Sequence, residues 1–142
     1  RKGRINIMKK IVIIQGTFHT KEMPVMLNAA QKKAAALGLH VERVISVPGS
    51  MEVPLALHRA LARPDIDGAV VLGIIERGET KHGMVMGHTV IQSVIDQQVA
   101  TNKPVGVGIL GPEILPSQIP SRLIGYADAA VNAVDVMLKL DF

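Results

Sequence analysis

Short runs rich in Val and Ile alternate along the chain with longer stretches in which apolar residues recur at helical spacing. Four of the short runs read as strands: KIVIIQ at 10–15, HVERVISV at 40–47, GAVVLGII at 68–75 and PVGVGIL at 104–110. The longer stretches read as helices. The first runs from about Pro24, which suits a first helical turn, to Gly38, which suits the position just past the end. The second follows Pro54. The third covers roughly 83–101, with Met84, Val85, Val90, Ile91, Val94 and Ile95 supplying its apolar face. Another begins near 123 and closes the chain. This alternation is the signature of βαβ units around a parallel sheet, so an α/β fold is expected.

The last helix says something about assembly. Its polar residues Asp128, Asn132, Asp135 and Lys139 fall at spacings of four, three and four, which makes one narrow stripe. Nearly everything else between 129 and 140 is Ala, Val, Leu or Met. The apolar arc is wider than packing on one sheet face requires, and two readings fit it: a well-buried core helix or a subunit interface.

Composition narrows the picture. A chain of 142 residues with 48% hydrophobic content suits one domain with a real core. Residues 9–142 are expected to form it, with residues 1–8 a terminal arm or expression remnant. There is no cysteine, which excludes disulfides and thiolate metal sites and fits a reducing compartment. The IVII run behind the basic start is too short for a signal-peptide core or a membrane span, so a cytoplasmic protein with no membrane partner is expected. The net charge of +4 raises the question of nucleic acid. The aromatics Phe18, Tyr126 and Phe142 are too few for a base-stacking platform, and Arg1, Lys2, Arg4 and Lys9 sit in one terminal cluster. A small anionic substrate fits such a modest excess equally well.

Candidate chemistry concentrates in IIERGETKHG, residues 74–83. This stretch leaves the C-terminal end of the third strand, where ligands bind in open parallel α/β sheets. Gly73, Gly78 and Thr80 fit the outline of a P-loop, but Glu79 occupies the lysine position, and a carboxylate facing a triphosphate has the wrong sign. His82 and His88 are six apart, which on a helix points them to different faces, and no H-E-x-x-H occurs, so zinc is poorly supported. The third reading is an anion site. The Gly78–Thr80 backbone and the following helix N-terminus would hold one phosphate beside a histidine able to move protons. Against it, a histidine near a helix start is often a cap or a surface residue. His19 follows Phe18 at the end of the first strand and is placed to line the same cleft, whereas His40, His58 and His88 have weaker context.

LGIIERGETKHG closely resembles the signature loop of the lumazine synthase family, in which a strand is followed by R-G-[ADE]-T-x-H. VPGSMEVPLA at 47–56 resembles that family's P-G-[AS]-x-E-[IV]-P segment, and QGTFHTKE resembles its first-strand loop with an aromatic residue. NKPVGVGILGP at 102–112 resembles its fourth strand, particularly in the archaeal-type branch. Four motifs in the right order cover nearly the whole chain from about residue 9.

The resemblance implies a three-layer α/β/α sandwich with a flavodoxin-like four-stranded parallel sheet. It also implies a homo-oligomer, a pentamer or a shell of pentamers, with active sites between adjacent subunits. The family condenses 5-amino-6-(D-ribitylamino)uracil with 3,4-dihydroxy-2-butanone 4-phosphate, giving 6,7-dimethyl-8-ribityllumazine, phosphate and water, with no metal or organic cofactor. Carried over position by position, Phe18 would stack on the pyrimidine, and Ser50, Met51 and Glu52 would contact its ring and ribityl chain. Ile74, Ile75, Glu76 and Val107 would complete the substrate-binding set. Gly78, Glu79 and Thr80 would line the phosphate end, His82 would shuttle protons, and Arg122 would reach in from the neighbouring subunit to the phosphate. Glu52 also reads as an ordinary helix-start carboxylate and Arg122 as a solvated arginine. Glu76, Gly83 and Val107 depart from the commoner residues of the family, which implies a differently shaped ring pocket. A second hypothesis is a catalytically weak relative that binds a flavin or lumazine, or builds a shell, with the same pocket.

Overall fold

A computed structural model describes residues 7–141; the Arg1, Lys2 and Arg4 cluster, most of the expected terminal arm and Phe142 lie outside the described residues. Strand β1 (Lys10–Gly16) leads into helix α1 (Met23–Ala36), and β2 (His40–Val47) into a 3₁₀ turn at Ser50–Glu52 and α2 (Val53–Leu61). Strand β3 (Gly68–Glu76) leads into α3 (His82–Thr101). Strand β4 (Val105–Ile114) is followed by two short 3₁₀ turns and α4 (Leu123–Lys139). The strands form one parallel sheet in the order β2-β1-β3-β4.

Alternation along the strands divides the core into two layers, because successive side chains leave opposite faces of a sheet. Ile11, Ile13, Val70 and Leu72 pack under α1 and α4, against residues such as Met26, Ala130 and Val131. Val12, Ile14, Ala69 and Val71 pack under α2 and α3, against Leu57, Val90 and Val94. Both faces of β1 and β3 are covered, which is why these runs are almost continuously apolar. The result is the expected three-layer α/β/α, flavodoxin-like arrangement. None of the helices among the described residues is long and apolar enough to cross a membrane.

Three local features differ from the sequence reading. Strand β4 runs on to Ile114, because the backbone turns into the left-handed region at Gly111 (φ 92°) and then rejoins the sheet, with Ile114 opposite Glu76. Second, α3 buries Gly87, Val90 and Val94, while Val85 and Ile95 of the expected apolar face are exposed. Each lies five residues from Val90, about 140° around the helix. Together with Val99 they give α3 an uncovered apolar side. Third, the polar stripe of α4 is partly buried: Asp135 is only 6% exposed, with Oδ2 accepting from Lys139 Nζ at 2.9 Å.

Helix α4 turns Ala127, Ala130, Val131 and Val134 to the sheet and presents Tyr126, Val136 and Met137 on the opposite side. The helix is therefore a core element and also carries an uncovered apolar face. It comes closest to the sheet at Gly106, where a Cβ would overlap the Ala130 carbonyl.

Candidate functional site

The strand order places the switch point of the sheet between β1 and β3, since the chain leaves β1 toward one edge strand and β3 toward the other. The loops part there, onto α1 on one face and α3 on the other, and a crevice opens at the C-terminal strand ends. A cavity of about 300 Å³ occupies it.

Four segments supply its walls. The loop after β1 contributes Phe18 and His19, and the turn after β2 contributes Ser50, Met51 and Glu52. Ile74 from β3 and Met86 from α3 close the remaining side. The first two segments are tied together, as the backbone N–H and the hydroxyl of Thr17 both donate to the Val47 carbonyl, at 2.9 and 3.2 Å. Glu52 Oε1 accepts from the Gly49 backbone N–H at 3.0 Å, which closes the 3₁₀ turn and fixes the carboxylate. Glu52 is thus both a helix-start carboxylate and part of the crevice wall. The Ser50 side chain is buried and its hydroxyl lies against Gly73, the β3 position that carries no side chain.

Phe18 is 81% exposed, so its ring is a free face rather than a core contact. Its nearest aromatic neighbour is the His19 ring, edge-on at 5.2 Å between centroids. His19 Nε2 lies 3.4 Å from Glu76 Oε1, so the last residue of β3 reaches across to the loop after β1.

The 77–81 loop follows directly. Arg77 holds its start to the end of β4: the Arg77 N–H donates to the Ile114 carbonyl at 2.8 Å, and its Nε lies 3.3 Å from Glu113 Oε2. Gly78, Glu79 and Thr80 are exposed. Thr80 Oγ1 accepts from the His82 N–H at 3.3 Å, so Thr80 rather than the His82 side chain supplies a side-chain acceptor at the start of α3. Among the other first-turn amides Val85 N–H donates to the Lys81 carbonyl at 3.0 Å, while those of Gly83 and Met84 precede the first i−4 acceptor, and no acidic side chain occupies that turn. An anion there meets backbone N–H groups, a positive helix end and the His82 imidazole.

The single chain thus brings Phe18, Ser50, Met51, Glu52 and Ile74 into one cavity, with Glu76 touching its wall through His19. The Gly78–His82 loop lies beyond the strand end and does not line that cavity. Ile75 is 2% exposed and packs in the layer beneath α2 and α3, so only its backbone can meet a ligand. Val107 is half-buried against the same layer, in mid-strand opposite Val71. Arg122 stands immediately before α4, exposed, with Nη1 donating to the Gln118 carbonyl at 2.8 Å. Met86 was not singled out in the sequence. The signal was its position four residues before Val90, one turn along the buried face of α3.

These elements define a flavodoxin-like α/β/α protein with a crevice at the sheet's switch point. A family model described as 6,7-dimethyl-8-ribityllumazine synthase matches residues 8–140, and the chain belongs to that family. It is similar to proteins of that name from Staphylothermus marinus (37% identical over 132 residues, 93% of this chain and 88% of the relative) and Metallosphaera sedula (37% over 130 residues, 92% and 86%). A third, from Picrophilus torridus, is 35% identical over 133 residues, covering 94% of this chain and 97% of the relative.

Proposed function

We propose that the chain is a cytoplasmic transferase of riboflavin biosynthesis. It condenses 5-amino-6-(D-ribitylamino)uracil with 3,4-dihydroxy-2-butanone 4-phosphate to 6,7-dimethyl-8-ribityllumazine, releasing phosphate and water. The observation that carries this reading is the meeting, in a member of this family, of Phe18, the Ser50–Glu52 turn and Ile74 in one cavity beside the Gly78–His82 loop.

Each residue then has a chemical task. The Phe18 ring stacks on the pyrimidine, a contact worth about 1–3 kcal/mol per base-like ring. Glu52 and Ser50 accept hydrogen bonds from the ribityl hydroxyls and ring, Met51 and Ile74 give apolar contact, and the β3 end at Ile75 and Glu76 borders the ring. Amides of Gly78, Glu79 and Thr80 and the start of α3 receive the phosphate. Imine formation, phosphate elimination and ring closure each move protons near neutral pH, where imidazole titrates, and His82 stands beside the phosphate end to carry them. Holding an aryl amine against a carbonyl supplies much of the acceleration by proximity.

Arg122 serves a neighbour's site in this reading. Arg122 does not line its own chain's cavity, and it opens a helix with an apolar face turned to solvent. A ring of five, alone or within a shell of such rings, would cover that face and bring Arg122 to the next subunit's phosphate. Keeping Phe18, Glu52, Thr80 and His82 together favours the enzyme over a weak flavin- or lumazine-binding paralogue. Turnover with both substrates, followed by the appearance of the lumazine chromophore, tests this. Product formation is expected; none at high enzyme concentration would leave the binding protein as the better reading.

A further inference from the structure

Phe18 poses a mechanical problem. A ring that is 81% exposed is not fixed by packing, yet a stacking surface gains affinity when it is held ready before the ligand arrives. The only ring beside it among the described residues is His19, edge-on at 5.2 Å with the planes 78° apart, the favoured edge-to-face geometry for aromatic pairs.

His19 is itself constrained. Its side chain is 16% accessible and lines the cavity, with one nitrogen 3.4 Å from the Glu76 carboxylate. That distance is long for a hydrogen bond and within ion-pair reach. Glu76 is the last residue of β3 and is anchored in the sheet opposite Ile114, whereas His19 sits in the loop that leaves β1. The contact therefore ties the loop after β1 to the end of β3 across the mouth of the crevice.

We infer that Glu76 and His19 are positioning residues: Glu76 orients the His19 ring, and His19 in turn holds Phe18 at the angle that stacks on the pyrimidine substrate. The inference rests on the reading above that Phe18 is the stacking surface. It gives Glu76 a role that acts through another residue rather than on the reacting atoms.

Steady-state kinetics of the assembled protein test it as a mutant cycle. Glu76→Leu should raise KM for ribitylaminouracil about five-fold, the order expected for losing one exposed tether, with a much smaller change in kcat. Glu76→Gln keeps an acceptor and should recover most of that loss. His19→Ala should behave like Glu76→Leu. In a Phe18→Leu background, where the ring is gone, adding Glu76→Leu should change KM by much less than it does alone. Full additivity of the two substitutions, or an unchanged KM in Glu76→Leu, overturns the inference. If Phe18→Leu leaves KM unchanged in an active enzyme, the stacking role falls and this inference with it, while the transferase reading stands. If the wild type gives no product, the same cycle is read from the dissociation constant of ribitylaminouracil by calorimetry, so the two failures are told apart.

Discussion

Replacing Gly106 with Ala puts one methyl group where α4 lies closest to the sheet. Built on the native backbone, that carbon sits 2.6 Å from the Ala130 carbonyl carbon and 3.1 Å from its Cα. An unstrained carbon–carbon contact is about 3.5 Å or more. The obstacle is helix backbone, so no change of rotamer relieves it, and α4 has to retreat by about 1 Å. Overpacking costs about 1–3 kcal/mol, and a backbone clash belongs at the upper end of that range. For a chain of this size each kcal/mol lowers the melting temperature by about 2–4 °C, so a fall of roughly 6–12 °C is expected at fixed protein concentration. Gly108→Ala, two residues on, is the comparison. There the methyl meets Leu72 Cδ2 at 2.7 Å, the tip of a flexible side chain, and the cost should be nearer 1 kcal/mol. Function should follow the helix. Arg122 directly precedes α4, and a 1 Å misplacement of a positioning group can cost about 100-fold in rate. Scanning calorimetry and turnover on both variants check this. Gly106→Ala melting within about 2 °C of the wild type, with unchanged turnover, would refute the claim that this crossing sets the helix.

Two further outcomes follow from the site and the uncovered faces. His82→Ala should lower kcat by about 10-fold or more with assembly unchanged by light scattering; unchanged kcat at saturation would remove His82 from the mechanism. Light scattering on the wild type should give at least five subunits. Val136→Glu with Met137→Glu, which charges the exposed side of α4, should shift the particle to smaller species; a stable wild-type monomer or dimer at micromolar concentration would contradict the assembly.

How much of this was legible before the structure depends on which signal each element carries. The strand cores of β1 and β3 were plain because burial on both faces leaves an unbroken apolar run, and Gly and Pro punctuate the chain around them. The tail of β4 was not, since its bulge at Gly111 and the left-handed residue Glu113 (φ 68°) are conformational choices that periodicity does not encode. The face of α3 was misplaced because Val85, Ile95 and Val99 are apolar yet exposed, so hydrophobicity alone could not separate the core arc from the opposite one. On α4 the same ambiguity was visible as an overly wide arc, and the structure resolves it into two apolar faces. Site residues were found by motif, not by pattern: nothing periodic links Phe18, Glu52 and Ile74, and the parallel topology brings them together. The His19–Glu76 contact and Met86 emerge only once β1, β3 and α3 are set side by side.

The shared site is the central claim, and subunit mixing tests it most directly. His82→Ala and Arg122→Ala should each be impaired as pure assemblies. Unfolded, mixed in equal amounts and reassembled, they should partly rescue one another. A productive site needs an intact His82 on one subunit and an intact Arg122 on the next. Each occurs with a probability of about one half, so about a quarter of the sites regain both under random assembly around a closed ring. If both residues served a site within one chain, no mixed ring could contain an intact pair. Activity of verified mixed assemblies near a quarter of the wild type is the predicted result; activity no higher than the mean of the two pure mutants would contradict the shared site and the place given to Arg122 in it.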